Sequence, residues 1–283
     1  NISHQFSTNK RNSFSQINFR QHRQSFYGLP SVIEDNYILS NFDPIQRLTY
    51  FSITSDWQWH DRIVKGLSLN SYYTADSYST RENEISFISK FQLDFGSIHL
   101  TAIPKINILS TTFKEDFYTR LENELFSGIG GISLYSSKEK GRFKFRLGIQ
   151  SYFITGDNYA EKNLYYFPDV MITFKPENSN FAPFLNLSGE FYQNSFRALS
   201  HINPYVAPAI RLRSSFSPYK IELGTRSSLS RGWELQWNLF YSSEENRPMF
   251  RNFGKNFDIN NVIADRFGNS FEVLYPSLKS SGI

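Results

Sequence analysis

Residues 142–153 read R-F-K-F-R-L-G-I-Q-S-Y-F, an alternation that few folds other than an exposed antiparallel sheet can accommodate. Phe143, Phe145, Leu147, Ile149 and Phe153 occupy one parity, broken only by Ser151. Arg142, Lys144, Arg146, Gly148, Gln150 and Tyr152 occupy the other. Successive side chains of a strand point to opposite faces, so one face is oily and the other polar. The pattern recurs along nearly the whole chain. Phe51, Ile53, Trp57 and Trp59 alternate with Ser52, Thr54, Asp56 and Gln58, and Ile85, Phe87, Phe91, Leu93 and Phe95 repeat it. Trp233, Leu235, Trp237, Leu239 and Tyr241 stand against Glu234, Gln236 and Asn238. No helical period lasts more than a couple of turns, which leaves one all-β domain over residues 1–283.

Two environments explain such strands: a soluble core, or hydrocarbon around a transmembrane barrel. Aromatics form 17% of the chain, with 28 Phe and 17 Tyr, while Ser, Asn, Gln and charge keep the mean hydropathy at −0.44. No apolar run reaches the roughly 18 residues of a membrane helix. A membrane-spanning chain of this kind must therefore use strands closed into a barrel, the other arrangement that satisfies every backbone group in lipid. Alternating barrel strands also reconcile a polar average with an apolar surface. Trp57, Trp59, Trp233 and Tyr241, with Tyr72, Tyr73 and residues 165–167, fall near expected strand ends, where a headgroup girdle forms. Full charges in mid-strand suit a wet lumen better than a dry core.

The expected architecture is an antiparallel transmembrane β-barrel of roughly 12–16 strands, about 8–12 residues each. The final Leu278-Lys-Ser-Ser-Gly-Ile283 reads as mid-strand, so the domain is expected to be incomplete at both ends. Hairpins are expected at Gly96-Ser97, Lys138-Glu-Lys-Gly141 and Ser230-Arg-Gly232. Longer polar connections are expected over residues 156–163 and 194–208. The lipid-facing set is expected to be Phe143, Phe145, Leu147, Ile149, Leu235, Trp237 and Leu239. Arg142, Lys144, Arg146, Arg211, Arg213 and Lys220 are expected to line the lumen, as an anion-preferring strip or in ion pairs with Glu190, Glu222 and Glu234.

Signals for chemistry are weak. The chain has no cysteine, which removes disulfides, thiolate metal sites and a catalytic thiol. Its five histidines show no metal-ligand spacing. His60-Asp61 reads as a strand end, and His99 near Ser97 as a coincidence of alternation. Glu82/Glu84, Glu122/Glu124 and Glu244/Glu245 are sequence neighbours and cannot oppose each other across a substrate. Gly128-Ile-Gly-Gly131 precedes no helix, so it is read as a strand passing a crowded interior instead of a phosphate loop. A net charge of +4 spread along the chain, with basic and aromatic residues on opposite faces, argues against nucleic acid.

Asn203-Pro-Tyr-Val-Ala-Pro208, Tyr219-Lys-Ile-Glu-Leu-Gly224 and the stretch from Trp233 to Phe250 resemble the large aromatic-rich outer-membrane barrels of Bacteroidota, which are TonB-dependent-receptor-like. Ser243-Glu-Glu-Asn-Arg-Pro-Met-Phe250 and Phe26-Tyr-Gly-Leu-Pro30 are similar to the same group. The resemblance covers about the last third of the chain and the early turn, and concerns the barrel portion only; no segment reads as a plug domain. It implies an outer-membrane location and solute transport or diffusion, without enzymatic activity or cofactor. The second expectation is a non-transporting barrel within a protein-insertion or secretion complex. Membrane lipids are the expected partners, with outer-membrane lipoproteins or other barrels in the second case.

Overall fold

A computed structural model describes residues 1–25, 45–96, 98–114, 122–157, 162–177, 180–207, 210–230, 232–252 and 270–282. Its strands are β1 (Ile2–Ser7), β2 (Arg11–Ser25), β3 (Ile45–Trp59), β4 (Val64–Asp76), β5 (Arg81–Phe95), β6 (Ile98–Phe113), β7 (Asn123–Lys140) and β8 (Phe143–Gly156). They continue as β9 (Leu164–Phe174), β10 (Phe181–Tyr192), β11 (Ser215–Ser230), β12 (Trp233–Glu245), β13 (Met249–Asn252), β14 (Phe271–Leu274) and β15 (Leu278–Gly282). One helix, α1 (Phe196–Ile202), lies between β10 and β11.

Thirteen strands form one sheet in the order β1 to β12 followed by β15, and β13 pairs with β14 as a separate hairpin. Every strand pair is antiparallel to its neighbour. Strands β2 to β12 run from 11 residues in β9 to 18 in β7, longer than the roughly 9–11 that cross a bilayer at a tilt. The strand count and the antiparallel order agree with the expected barrel wall.

Directly opposed residues share a face, so register assigns the sides. Ile149 stands opposite Pro168 and Leu134, Leu147 opposite Val170, and Leu223 opposite Leu239 and Leu185. These side chains are solvent-facing: Leu147 is 57% and Leu235 55% exposed. The other face carries Gln150 opposite Ser133, Glu84 opposite Tyr72 and Asn186 opposite Glu222. An oily outside and a hydrogen-bonding inside reverse the order of a soluble domain.

Connections differ between the two ends of the sheet. At one end they span residues 8–10, 60–63, 96–97, 141–142, 175–180 and 231–232; at the other, 26–44, 77–80, 114–122, 157–163, 193–214 and 246–277. Outer-membrane barrels keep tight turns on the periplasmic side and long loops outside. Gly141 makes the β7–β8 turn with φ of 60°, where a side chain would be strained. Gly131 serves close approach: a Cβ there would lie 2.7 Å from the Tyr152 ring. The crowded-interior reading of the Gly128–Gly131 run therefore holds at Gly131 on the inner face, whereas Gly130 faces open space.

Ile149 lies at the centre of β8 on the oily face. Replacing it with Arg should cost about 2–4 kcal/mol of folding stability in lipid vesicles. Denaturant titration of the reconstituted protein measures this, and Gln150→Arg on the inner face should cost far less.

Candidate functional site

Residues 193–207 and 210–214 do not project from the long-loop end but fold back over the inner face. From Tyr192 to Pro204 the chain includes the seven residues of α1 and reaches at most about 27 Å at helical and extended rises. The Pro204 carbonyl nevertheless accepts a hydrogen bond from Gln24 on β2. Strands β2 and β10 are eight spacings apart, about 38 Å on a flat sheet. The wall must therefore curve, and the segment crosses it as a chord.

Glu82, only 1% exposed on the inner face of β5, holds the start of α1. Its Oε2 accepts the Phe196 N–H at 2.6 Å and the Thr111 hydroxyl at 2.8 Å, while Oε1 accepts the Arg197 N–H at 2.8 Å. These amides belong to the first turn of α1, which has no internal partners for them and favours negative charge. Ser195 caps the same turn by accepting the Ala198 N–H at 3.1 Å. The Arg197 guanidinium donates to Glu84 at 2.7 Å and lies 3.9 Å above the Tyr72 ring. Further contacts run from Ser200 to the Tyr50 hydroxyl at 3.2 Å and from Gln193 to Ser127 at 2.8 Å.

Beneath these bonds lies an apolar cluster. Phe196, Leu199, Val206, Ala207, Ile210 and Leu212 of the crossbar pack on Leu48, Leu109 and Phe113 of the wall. The β13–β14 hairpin joins it through Phe250 and Val273. It is tied to the crossbar by the Ala207 N–H on the Phe271 carbonyl, 2.9 Å, and the Phe271 N–H on the Tyr205 carbonyl, 2.8 Å. Two long loops thus dock as one body. A second inner cluster, Ile129, Tyr152, Ile154, Tyr165, Phe167 and Phe191, lines β7 to β10. Between the crossbar and the β10–β12 wall a cleft of about 660 Å³ is bordered by Ile202, Phe250, Glu190, Lys220, Phe240 and Glu244.

The expected basic strip is not continuous. Lys144 and Arg146 lie on the inner face of β8, paired with Glu139 at 3.2 Å and Asp169 at 2.5 Å. Lys220 on β11 pairs with Glu222 at 2.7 Å. Arg142 sits in the β7–β8 turn with Glu177 at 2.9 Å. Arg211 and Arg213 are not mid-strand, because the backbone there bonds to side chains instead of a ladder: the Arg213 carbonyl accepts from Asn194 and the Arg211 carbonyl from the Tyr275 hydroxyl. Glu190 accepts from Tyr192.

Phe143, Leu147, Ile149, Leu235, Trp237 and Leu239 are exposed on the outer face, with Phe145 half-buried against Phe143. Trp57 and Trp59 end β3 and Trp233 begins β12, all at the short-turn end, while Tyr241 stacks on Tyr219 nearer the long loops. Tyr165 and Phe167, expected in a girdle, face inward. His99 pairs with Asp94 at 2.6 Å on an exposed hairpin, and Ser97 and residues 26–30 lie outside the described residues. No three metal-binding side chains gather among the described residues. The helix went unrecognised in the sequence, although Ser195 as cap, Phe196 and Leu199 three apart, and Asn203-Pro204 as a stop were visible signals.

No protein-family profile matches this chain, and no curated protein matches it. Solved structures do. The FrpB iron transporter from Neisseria meningitidis (F3-3 variant) superposes with a TM-score of 0.64 at 11% identity, over 99% of this chain and 47% of that one. The siderophore receptor PirA from Pseudomonas aeruginosa gives 0.60 at 8% identity, over 98% of this chain and 50% of that one.

Removing the Glu82 carboxylate in Glu82→Ala leaves two buried N–H groups without acceptors, at about 1–3 kcal/mol each. Hydrogen exchange at Phe196 and Arg197 should quicken by roughly tenfold or more, with the sheet amides unchanged. His201, with its ring 4.7 Å from that of Tyr50, has its pKa lowered by burial first and then by Arg197, Arg20 and His22. A depressed histidine favours docking above its unfolded pKa of about 6.5 and loses that contribution as pH falls through the folded value. An NMR titration of His201 should show a midpoint below 6.5 that rises when Glu82→Ala frees the helix.

The chain spans about half the length of the solved structures it matches and has the fold of an outer-membrane receptor barrel wall.

Proposed function

We propose that this wall encloses a solute path across the outer membrane and that the crossbar is its internal gate. One observation carries the reading: a chord of chain crosses the inner face, held on the far wall by side-chain hydrogen bonds and not by a strand ladder. Bonds of that kind exchange with water at a net cost of about 0.5–1.5 kcal/mol each, or about 1.5–3 where a carboxylate accepts, so the crossbar can leave the wall without unravelling the sheet. The neighbours described as an iron transporter and a siderophore receptor support transport as the purpose of such a wall. We infer membership of the TonB-dependent-receptor-like barrels on the same ground.

In this reading Phe143, Phe145, Leu147, Ile149, Leu235, Trp237 and Leu239 face hydrocarbon, and Trp57, Trp59, Trp233 and Tyr241 sit near the headgroups. Lys144, Arg146 and Lys220 line the path as neutralised pairs, which favours a passage shaped by the crossbar over an anion filter. The cleft between crossbar and wall is large enough for a small ligand and lies at the long-loop ends of β10 to β12.

Protein purified from its native membrane should show little conductance in planar bilayers. A variant with residues 196–212 replaced by a short Gly-Ser linker should conduct freely. A variant as silent as the parent, though folded by heat-modifiability on gels, would remove the gate.

A further inference from the structure

The short-turn end of the sheet carries a charge cluster that transport leaves unused. At the short-turn end, the β7–β8 hairpin and the segment after β9 bring together Lys138, Lys140, Arg142, Lys144 and Lys175 with only two carboxylates, Glu139 and Glu177. Both carboxylates are committed, Glu139 to Lys144 at 3.2 Å and Glu177 to Arg142 at 2.9 Å. Lys138, Lys140 and Lys175 are exposed and form no ion pair among the described residues. Three positive charges therefore stand uncompensated in one corner of the sheet.

Register sets their direction. Lys138 is opposite Phe145 and Lys140 opposite Phe143, so both lysines share the outward face with these rings. Phe143 is in turn opposite Phe174, and Lys175, the next residue, follows on the side of Arg142 and Lys144. The rings form one apolar patch, with centroids 5.8 Å apart for Phe143–Phe145 and 4.8 Å for Phe143–Phe174. The Lys175 N–H donates to the Arg142 carbonyl at 2.7 Å and joins the two connections. A depression of about 430 Å³ between them is lined by Arg142, Phe143, Lys144, Lys175 and Pro176 together with both carboxylates, Glu139 and Glu177.

A soluble anion would use the charges and ignore the rings; a neutral lipid would do the reverse. A lysine carries its ammonium on a long apolar stem and can rest that stem on the rings while the charge reaches the headgroup level. We infer that this corner binds the phosphate of an anionic phospholipid in the leaflet at the short-turn end, through Lys138 and Lys140, with the acyl chains lying over Phe143, Phe145 and Phe174. The site would fix the depth of the β7–β9 wall in the bilayer.

Native mass spectrometry of the purified protein with phosphatidylglycerol and phosphatidylcholine tests this. Each basic residue near an anionic surface contributes roughly fivefold in affinity, so the double variant Lys138→Gln/Lys140→Gln should lose phosphatidylglycerol binding by about twenty-five-fold. Phosphatidylcholine binding should stay unchanged, and Lys→Arg at the same positions should retain the preference. Arg62→Gln, in another short turn, should have no effect. Equal binding of the two lipids by the parent protein would overturn the proposal, as would an undiminished preference in the Gln variant. So would full competition by inorganic phosphate at the lipid's own concentration, which would assign the lysines to a soluble anion.

Discussion

A peptide group in hydrocarbon has no water to bond, so each N–H and C=O must meet a partner within the protein. The antiparallel ladders meet that demand on both sides of β3 to β8, while β1 and β15 are the edges of the described sheet. Once the ladder carries the backbone, side chains are left to choose a solvent. Because the period is two, slipping one strand by a single residue would put Leu147 and Ile149 into the lumen and Arg146 and Gln150 into lipid. Register is consequently held along the middle of the strands. Departures are few, and one falls where the crossbar leaves the wall: pairing shifts between Ser188 and Glu190 of β10, opposite Pro218. Pro218 has no N–H to give the ladder, and a Cβ on Gly189 would lie 2.7 Å from the Pro218 carbonyl.

The inner face obeys a looser rule. Water can satisfy its polar groups, and so can another stretch of the same chain. Residues 193–214 exploit this by presenting the two N-terminal amides of α1 to a buried carboxylate, a better acceptor for them than water because the helix dipole adds to the hydrogen bonds. Phe196 and Leu199 then close an apolar cluster over Leu109 and Phe113. Neither contribution would hold the segment alone. Seven residues are too few for a stable free helix, and Glu82 without its donors would be a buried, unpaired charge.

The wall was legible in the sequence because its cause is local: the parity of Phe143, Leu147 and Ile149 is set by neighbours two residues away. Strand turns followed for the same reason, as at Gly141 and Gly232, which adopt positive φ. The crossbar was not legible, because its cause is remote. Ile210, Leu212 and Ser214 alternate with Arg211 and Arg213 like a strand, yet their faces are decided by β3, β6 and the β13–β14 hairpin. Tyr165 and Phe167 misled in the same way: aromatic residues near a strand end suit a headgroup girdle and an inner cluster equally well. Glu82 looked like a solvated charge since its ligands, Phe196 and Arg197, are more than a hundred residues away.

The distribution of polar bonds also decides which part of the molecule can move. Strands β3 to β8 are tied on both sides by ladders, whereas the crossbar meets the far wall, among the described residues, through Glu82, Glu84, Tyr72, Tyr50, Gln24 and the apolar cluster. Its firmest backbone contact is to the β13–β14 hairpin, itself part of the 246–277 connection. A force or ligand acting on that long loop would therefore reach α1 before it disturbed any spanning strand. The joint between the two loops, Val206 beside Phe271, would travel with them, and the bonds lost would be those on Glu82. Opening would give the Glu82 carboxylate to newly admitted water in place of the helix amides, and would uncover Leu48, Leu109 and Phe113, so the segment stays docked until something acts on that loop.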